Sequence, residues 1–358
     1  MVSVVSFVVT SAWLAAIVLA LVPRPLPVAA ATACEWNGVD RVVAVGDVHG
    51  AYDRFVEILK AAGLVDAATH WTGGTAHLVQ LGDVLDRGND SRKALDLLRQ
   101  LEREAPNAGG KVHPLLGNHE VMRMIGDLRF TTPGEYAAFE RADSESTRSS
   151  YLNSARKAGD GEQVERMPLG FLEMRLAFGR DGEYGRWLRQ LPVTIAIDGF
   201  VFVHGGISPA FAATGCGAIN DRLRRELTTD LDKTRARPLE SLSGRGDGPL
   251  WYRGLALEPD SFAPQVDDII AKLHARAIVV GHTVTTPGRV TARFGGRVIQ
   301  IDTGMNPAYV PDGKASALEI RGGEVTAIYV DRREPINVPA RAGASQSAGI
   351  GNRRSGDR

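Results

Sequence analysis

Five short apolar segments of the chain end in the same way, at a glycine followed or preceded by polar side chains. Three lie in the first part of the sequence and read VAVGDVHG (43–50), LVQLGDVLDRG (78–88) and LLGNHE (115–120). The other two, FVFVHGG (200–206) and IVVGHT (278–283), end on histidine. Polar groups are costly to bury without partners, so such strand ends are either solvated turns or parts of one site. Their recurrence favours one site.

Amphipathic helices separate the first three segments. Residues 51–62 and 91–104 place apolar side chains on one helical face. The resulting strand, helix, strand units have the length of right-handed parallel crossovers, and the carboxyl ends of their strands lie at one edge of the sheet. We therefore predict an α/β (α+β) fold in which the polar strand ends meet.

The composition and patterning predict one catalytic domain over residues 41–331. Lys+Arg and Asp+Glu are balanced at 42 each, so no overall charge attracts nucleic acid. Residues 122–190 contain no strand-like run and are predicted to form a helical insertion. Residues 332–358 lack apolar periodicity and are predicted to be a disordered tail. Strands resume after the insertion at 193–204, and a second sheet is predicted from the runs 297–302, 317–320 and 325–330.

The N-terminus predicts export from the cytoplasm. Residues 4–22 form an uncharged apolar run long enough to span a bilayer, and Ala31-Thr32-Ala33 fits a small-x-small processing site. Residues 1–33 are therefore predicted to be a cleaved signal peptide of a periplasmic or extracellular protein. No Lys or Arg precedes the run, so an uncleaved membrane anchor at 4–22 is the alternative. Cys34 and Cys216 could pair in such an oxidising compartment.

The side chains at the five strand ends are oxygen and imidazole donors with no thiolate among them. Such donors suit two divalent ions of the Mn, Fe or Zn kind better than a tetrahedral structural zinc. Two ions that share Asp83 would leave positions open for a water and a phosphoryl group, as in-line displacement at phosphorus requires. We expect Mn to support activity in vitro. The predicted metal ligands are Asp47, His49, Asp83, Asn118, His204 and His282.

The neighbours of these ligands fit phosphate chemistry. His119 is predicted to protonate the leaving oxygen as a general acid, and Asp86 to orient its imidazole. Arg87 is predicted to bind phosphate oxygens through its planar guanidinium, and Asn118 is predicted to contact the phosphate as well as a metal ion. Glu120 is expected to be a structural hydrogen-bond partner. The predicted substrate is a phosphorylated protein or a small phosphomonoester, and the membrane is a partner only if the N-terminal segment is uncleaved.

In order over residues 41–304, the motifs GDVHG, GDVLDRG, GNHE, HGG and GH resemble the signature of the calcineurin-like metallophosphoesterases. The DRG tripeptide points to their phosphoprotein phosphatase branch. GDLRF (126–130), PLWYRG (249–254) and IDTGM (301–305) are similar to the bacterial-type, Shewanella-like phosphatases. The SAPNY loop of the eukaryotic Ser/Thr enzymes is absent, so their inhibitor and regulatory-subunit sites are not carried over.

The resemblance implies a β-sandwich flanked by helices and a dimetal centre whose bridging hydroxide attacks phosphorus directly. It also implies a second phosphate-binding arginine, for which Arg253 is the best match, although Trp251 and Tyr252 beside it make stacking or an ion pair a competing role. Phosphomonoesters on proteins or small molecules are the implied substrates, with phosphotyrosine favoured.

Three alternatives stay open at this point. The same dimetal site could cleave dinucleoside polyphosphates or phosphodiesters, or the chain could be a non-catalytic surface protein that binds phosphorylated partners. CGAINDR (216–222) also satisfies the C-x5-R spacing of cysteine-dependent tyrosine phosphatases. However, Gly215 stands where those enzymes usually carry His and no long apolar strand leads into Cys216, so we expect Cys216 in a loop. The remaining histidines are expected to lie outside the site: His70, His77, His113 and His274.

Overall fold

The computed structural model describes residues 34–158, 166–286 and 288–339. The strands are β1 Glu35–Trp36, β2 Arg41–Val45, β3 His77–Gln80, β4 Lys111–Pro114, β5 Thr194–Ile197, β6 Phe200–Val203, β7 Ala277–Val280, β8 Thr291–Arg293, β9 Val298–Gln300, β10 Ser316–Arg321, β11 Glu324–Tyr329 and β12 Arg333–Ile336. The helices are α1 Tyr52–Ala61, α2 Ser91–Glu104, α3 Asn118–Ile125, α4 Pro133–Ala137, α5 Ser144–Ala158, α6 Phe171–Ala177, α7 Glu183–Leu188, α8 Cys216–Leu227, α9 Leu231–Ala236, α10 Gly254–Leu257 and α11 Ala263–Lys272.

The strands form two sheets of six. Sheet 1 has the order β12-β11-β10-β2-β3-β4, and sheet 2 has the order β1-β5-β6-β7-β9-β8. The predicted parallel crossovers are present, because β2 pairs in parallel with β3 and β3 with β4, and α1 and α2 connect them. In sheet 2, β6 pairs in parallel with β7 and β7 with β9. The carboxyl ends of these strands carry the polar motifs.

The two sheets pack face to face. Strand β2 shows why, since its alternate residues belong to different cores. Val42 and Ala44 pack in one apolar cluster with Phe202 of sheet 2, whereas Val43 packs on the other side in a cluster that includes Phe55 of α1. Side chains of both sheets thus fill the space between them, and helices cover the outer faces. The predicted β-sandwich flanked by helices is confirmed.

The prediction of a second sheet from the last three runs is wrong. Strand β9 pairs with β7 in sheet 2, but β10 and β11 belong to sheet 1, where β10 lies antiparallel to β2 with Leu318 opposite Ala44. The strands predicted at 193–204 are present as β5 and β6, which pair antiparallel. Strand β2 lies inside sheet 1 between β3 and β10. Its partner β10 comes only near the end of the chain.

The predicted start of the disordered tail is wrong as well. Strand β12 pairs antiparallel with β11, with Ile336 opposite Val325. It carries no continuous apolar pattern because it is a short edge strand, and Pro335 is tolerated there. Residues 340–358 lie outside the described residues, as do the predicted signal peptide and anchor at 1–33. Among the helices that are described, none is both long and apolar enough to cross a membrane.

The segment between β4 and β5 is helical where it is described. Helices α3 to α7 occupy it, and neither 122–158 nor 166–190 contains a strand. Helix α3 begins directly at Asn118, so the first residues of this segment also belong to the polar motif that follows β4.

Candidate metal centre

The six predicted metal ligands converge at the carboxyl ends of the strands of both sheets. Asp47 and His49 follow β2, Asp83 follows β3, and Asn118 follows β4. His204 and His282 follow β6 and β7 of sheet 2. All six side chains are buried, at no more than 7 % exposed. The structure therefore brings together every residue of the predicted ligand set.

The ligand atoms form two overlapping groups that share Asp83. Asp83, His204 and His282 offer atoms that all lie within 4.8 Å of one another, and so do His49, Asp83 and His119. Nε2 of His204 lies 3.0 Å from Oδ1 of Asn118 and 3.3 Å from Oδ2 of Asp83. This is the arrangement expected of two cation positions bridged by one carboxylate.

Asp47 lies beside both groups. Its Oδ2 is 3.9 Å from Nε2 of His49, and its carboxylate accepts a hydrogen bond from the backbone N–H of His282. Nδ1 of His282 faces the other ligands and lies 3.1 Å from Nε2 of His204. Imidazole nitrogens and carboxylate oxygens held this close together suit divalent cations, so the donor set fits two divalent metal ions.

Backbone carbonyls fix the imidazoles in the ligand tautomer. Nδ1 of His49 donates to the carbonyl of Leu85 at 2.9 Å, and Nδ1 of His204 donates to the carbonyl of Leu81 at 2.8 Å. Because a carbonyl can only accept, Nδ1 carries the proton and Nε2 is left as a lone-pair donor facing the site.

The charges at the site are unbalanced without cations. Burial lowers the pKa of His49 to about 4 and that of His282 to about 2, so both rings are neutral. Burial, with the charges of Asp302 and Asp83, raises the pKa of Asp47 well above its ordinary value. Burial would also raise the pKa of Asp83, but neighbouring imidazoles, His204 foremost, hold it well below its ordinary value.

The backbone is strained at the same place. A left-handed φ is costly for a residue with a side chain, and such residues cluster at functional sites. A Cβ added to Gly117 would overlap the Asp83 carboxylate, and one added to Gly281 would overlap that of Asp47. This explains why glycine precedes the ligand in these motifs. Five site residues have positive φ: His49, Asp83, Asp86, Arg87 and His282.

His119 and Asp86 form a buried pair. Nδ1 of His119 lies 2.7 Å from Oδ2 of Asp86, which leaves Nε2 directed at the site, 3.8 Å from Oδ2 of Asp83. Burial opposes protonation of His119, but Asp83 and Asp86 together raise its pKa above the ordinary value. The arrangement can hold a proton at Nε2, as the predicted general acid requires.

Arg123 completes this pair and was not predicted. Its Nη2 donates to Oδ1 of Asp86 at 2.6 Å and to Oε1 of Glu135 at 3.1 Å, and the side chain is fully buried. Burial would raise the pKa of Asp86, but the hydrogen bond and charge of His119, together with Arg123, lower it, so Asp86 stays ionised. The sequence signal that could have predicted this role is the position of Arg123, four residues after His119 and therefore on the same face of α3.

Four of the six predicted ligands line a cavity of about 210 Å³, which we call the catalytic cavity: His49, Asp83, Asn118 and His282. Arg87 and Arg253 both line it, with Trp251, Phe130 and Tyr309. The Arg87 guanidinium lies 4.6 Å from the ring centroid of Phe130 and 3.8 Å from that of Tyr309. The two predicted phosphate-binding arginines thus face the same space as the ligands.

Arg253 is positioned by backbone and hydroxyl groups. Its Nη1 donates to the carbonyl of His282 at 2.7 Å and to Oγ1 of Thr283 at 2.9 Å. Within the described part of the chain, no carboxylate lies at salt-bridge distance from Arg253, so the competing role of a structural ion pair is not seen. Its charge remains available for an anion in the catalytic cavity.

The chain matches the model of the calcineurin-like phosphoesterase family over residues 40–285. It belongs to that family. It is 31 % identical to a Shewanella-like protein phosphatase 2 of Arabidopsis thaliana, covering 79 % of this chain and 75 % of that protein. A Shewanella-like protein phosphatase 1 of Plasmodium berghei is 25 % identical over 76 % of this chain and 68 % of its own length.

A solved structure agrees with these relatives. The cold-active protein-tyrosine phosphatase of a psychrophilic Shewanella species is 28 % identical and superposes with a TM-score of 0.67, covering 85 % of this chain and 82 % of its own. The predicted resemblance to the calcineurin-like, Shewanella-like phosphatases is confirmed. The chain is therefore a metal-dependent phosphoesterase, a hydrolase of phosphate esters.

The cysteine-dependent interpretation is wrong for this phosphoesterase. Cys216 is joined to Cys34 by a disulfide, with the two Cα atoms 6.2 Å apart, so it offers no thiolate. Cys216 is also the first residue of α8 rather than part of a loop. The reason is the spacing of Ile219, Leu223 and Leu227, which bury one face of that helix.

Glu120 lies behind the ligands. Its carboxylate accepts hydrogen bonds from the backbone N–H groups of Asp83, Val84, Leu85 and Gly117 at 2.8 to 3.2 Å. These bonds join the motif after β3 to the motif after β4. The geometry agrees with a structural rather than a chemical role.

Asp302 belongs to the motif IDTGM (301–305), but no functional role was predicted for it. It lines the catalytic cavity, and burial raises its pKa to about 6. The signal that would have found it is the one used for the other ligands, because Asp302 also follows an apolar strand, β9. The four histidines that were predicted to lie outside the site do not line the cavity: His70, His77, His113 and His274.

Proposed function

We propose that this phosphoesterase is a manganese-dependent protein phosphatase that acts on phosphotyrosine outside the cytoplasm. The observation that carries the proposal is that one cavity is lined by four of the metal ligands, by His119 with Asp86 hydrogen-bonded behind it, and by two arginines. Two divalent cations, when bound, would polarise phosphoryl oxygens and lower the pKa of a water. Mn is our preferred ion, and Fe and Zn are the alternatives that the same donors allow.

The side chains of the chain divide the remaining work. Arg87 and Arg253 bind and orient the phosphoryl oxygens, since each lines the cavity and neither has a carboxylate at salt-bridge distance among the residues that the structure describes. His119 holds a proton at Nε2 and delivers it to the leaving oxygen, while Asp86 keeps the ring oriented. Arg123 and Glu135, behind Asp86, keep that carboxylate ionised and in place.

Two observations support tyrosine as the phosphorylated residue. The solved relative from Shewanella bears the name of a protein-tyrosine phosphatase. The mouth of the cavity also carries Phe130 and Tyr309, whose side chains are 37 % and 41 % exposed. Exposed rings beside the phosphate site can pack against the phenyl ring of a phosphotyrosine, which serine and threonine lack.

The proposed location rests on the N-terminal segment and on the disulfide. A bond between Cys34 and Cys216 is expected to persist in an oxidising compartment. We propose that residues 1–33 are cleaved on export, with a membrane anchor at 4–22 as the alternative. The N-terminal mass of the purified native protein, and its release with or without detergent, would separate the two.

The proposed activity is tested with the native exported protein. We expect turnover of p-nitrophenyl phosphate and of a phosphotyrosine peptide with added Mn, loss after thorough chelation and recovery on adding Mn back. Asp83→Asn should lower both activity and the number of bound metal ions, because Asp83 belongs to both ligand groups. The matched control is Cys216→Ser, which should keep its activity, because Cys216 is bonded to Cys34 and offers no thiolate for catalysis.

The result that would overturn the proposal is undiminished activity after chelation or in Asp83→Asn. Faster turnover of diadenosine tetraphosphate than of phosphotyrosine peptide would move the substrate to the dinucleoside polyphosphates. Metal binding without turnover of any phosphate ester would favour a non-catalytic binding protein.

A further inference from the structure

A second cavity, with a volume of about 330 Å³, lies between α8 and α9 and the loop that follows them. We call it the basic cavity. Four of its lining side chains are cationic: Arg222, Arg225, Lys233 and Arg237. Three acids also line it, namely Glu226, Asp230 and Glu240. Whether the cavity attracts an anion therefore depends on how many of these charges are already paired.

The Glu226 carboxylate is already hydrogen-bonded to the protein backbone. Its carboxylate accepts hydrogen bonds from the backbone N–H groups of Leu242 at 2.8 Å and Ser243 at 2.9 Å, and it is buried. It holds the loop after α9 in place, and Arg222 reaches it only at 3.4 Å. Glu226 consequently contributes little negative charge to the open part of the cavity.

The cationic groups are more available than the acids. In the part of the chain that the structure describes, Arg225 and Lys233 have no salt bridge, and of the three lining acids only Asp230 has none. Arg237 pairs with Glu240 at 3.5 Å, and both side chains are mostly exposed. Exposed pairs of this kind contribute little energy, so Arg237 can exchange Glu240 for a better placed anion. The open face of the cavity is therefore cationic.

The basic cavity neighbours the catalytic cavity through a third cavity of about 320 Å³, which we call the apolar cavity. Thr234 and Ser241 line both the basic and the apolar cavity. Asn118 and Trp251 line both the apolar and the catalytic cavity. The three cavities thus lie in a row from the metal ligands to α8 and α9, and we call this row the trough.

Apolar side chains line most of the middle of the trough. Val121, Met122 and Ile125 of α3 line it, as does Leu239, which is 79 % exposed. Its two charged lining residues, Asp127 and Arg129, pair with each other at 2.7 Å. A substrate side chain that covers Leu239 and this cavity would bury apolar surface. The three cavities are thus suited in turn to a phosphate, an apolar side chain and an anion.

We infer that the basic cavity binds an anionic group of the phosphoprotein substrate, at a fixed distance along the substrate chain from the phosphate that is cleaved. The inference rests on the proposed function, because it assumes a polypeptide in the trough. The anionic group is a carboxylate side chain or a second phosphate, since arginine and lysine bind both. Binding away from the reacting atoms lowers KM for matching substrates and leaves small substrates unaffected.

The test uses the full-length, Mn-loaded enzyme and a series of phosphotyrosine peptides in which one glutamate is moved stepwise along either side of the phosphotyrosine. We expect one spacing to lower KM by about threefold to tenfold relative to the glutamine peptide, as a pair of partly exposed cations can provide. A second series with phosphoserine in place of glutamate distinguishes a second phosphate from a carboxylate. The preference should weaken as salt rises.

The variant that tests the assignment is Arg225→Glu combined with Lys233→Glu. It should remove or reverse the preference for glutamate while leaving turnover of p-nitrophenyl phosphate unchanged, which also shows that the variant is folded. The matched control is Arg103→Glu, an exposed arginine that lines a separate cavity on α2 sharing no residue with the trough. That control should keep the preference.

Two results would overturn the inference. One is the absence of a preferred glutamate or phosphoserine position in the wild-type enzyme, and the other is a preference that survives charge reversal. In both cases phosphotyrosine turnover itself persists, so the proposed function stands. Absence of turnover on every phosphate ester would instead contradict the proposed function.

Discussion

Arg87 shows how a single side chain is prepared for its ligand. Its backbone has φ of 66°, and its guanidinium lies between Phe130 and Tyr309, 4.6 Å and 3.8 Å from their ring centroids. Nε of Arg87 is buried and has no hydrogen-bond partner in the described ranges 34–158, 166–286 and 288–339. The rings restrict a side chain that would otherwise lose rotamer entropy on binding phosphate. The aromatic residues are thus positioning residues for the arginine.

We predict that Tyr309→Ala raises KM for p-nitrophenyl phosphate, and the inhibition constant for inorganic phosphate, by about threefold to tenfold, with a smaller change in kcat. Tyr309→Phe keeps the ring and should behave as wild type. Tyr151→Ala removes an equally exposed aromatic on α5 and serves as the control. An unchanged phosphate inhibition constant in Tyr309→Ala would show that the ring does not position Arg87.

Glu120 gives a second prediction at this scale. Four backbone N–H groups donate to its buried carboxylate, and removing it leaves all of them without an acceptor. We expect Glu120→Ala to lower the free energy of unfolding of the metal-free protein by on the order of 3 kcal/mol, and to weaken metal binding because Asp83 loses its support. Denaturant titration and calorimetric Mn titration measure the two effects.

Glu120→Gln keeps one acceptor oxygen and the shape of the side chain, so its losses should be intermediate. Glu57→Ala, on the exposed face of α1, is the matched control. Equal stability of Glu120→Ala and wild type would contradict the role assigned to this carboxylate.

At the scale of elements, β3 and β4 carry a pair of histidines remote from the catalytic cavity. Nε2 of His113 lies 3.0 Å from Nδ1 of His77, and the edge of Trp36 in β1 packs on His113 with ring centroids 4.4 Å apart. Burial, with the positive charges of His77 and Lys111, lowers the pKa of His113 to about 3. The packing of β1 against sheet 1 therefore depends on a neutral His113.

This pair predicts a loss of stability in mild acid. The folded pKa of His113 lies below its unfolded value, so the unfolded state binds a proton first as the pH falls below about 6.5, and stability declines from there toward pH 3. Between pH 7 and pH 5 the loss from His113 is about 2 kcal/mol by this linkage. Denaturant titrations at the two pH values should show a smaller decline for His113→Phe than for wild type.

His70→Phe is the control for that experiment, because His70 is exposed and paired with Glu104. Its removal should not flatten the decline between pH 7 and pH 5. A decline that is the same in wild type and His113→Phe would rule out the buried pair as its cause.

The elements also show what the sequence could reveal. The strand ends at Asp47, Asp83 and His204 were found because an apolar run followed by glycine and a polar group is a local pattern. The pairing of β10 with β2 was not found, since partners separated by most of the chain leave no local signal. Strand β12 was missed because an edge strand needs no apolar stripe. Arg123 and Tyr309 were missed because their roles depend on contacts across the fold.

At the scale of the whole molecule, one disulfide joins the beginning of the described chain to α8. Cys34 and Cys216 are separated by 182 residues, so the bond closes a loop that contains six of the twelve strands, β1 to β6. Closing a long loop restricts the unfolded chain, and removing such a bond from a protein costs about 2 to 5 kcal/mol. It also holds β1 beside β5.

We predict that Cys34→Ser and Cys216→Ser each lower the melting temperature by several degrees and that the double variant is no worse than either, because all three lack the same bond. Calorimetry under oxidising conditions measures this. A reductant should bring wild type to the level of the variants. Additive losses in the double variant would indicate that the sulfur atoms contribute separately rather than through their bond.

The six predicted ligands are divided between the sheets, with His204 and His282 on sheet 2 and the other four on sheet 1. Ions held by both sets can bind only when the sheets are packed together, and a ligand of the native state alone shifts folding in its favour by mass action. Scarcity of the ion in the surroundings would then shorten the lifetime of the protein, not merely slow its reaction, and resupply would restore both at once.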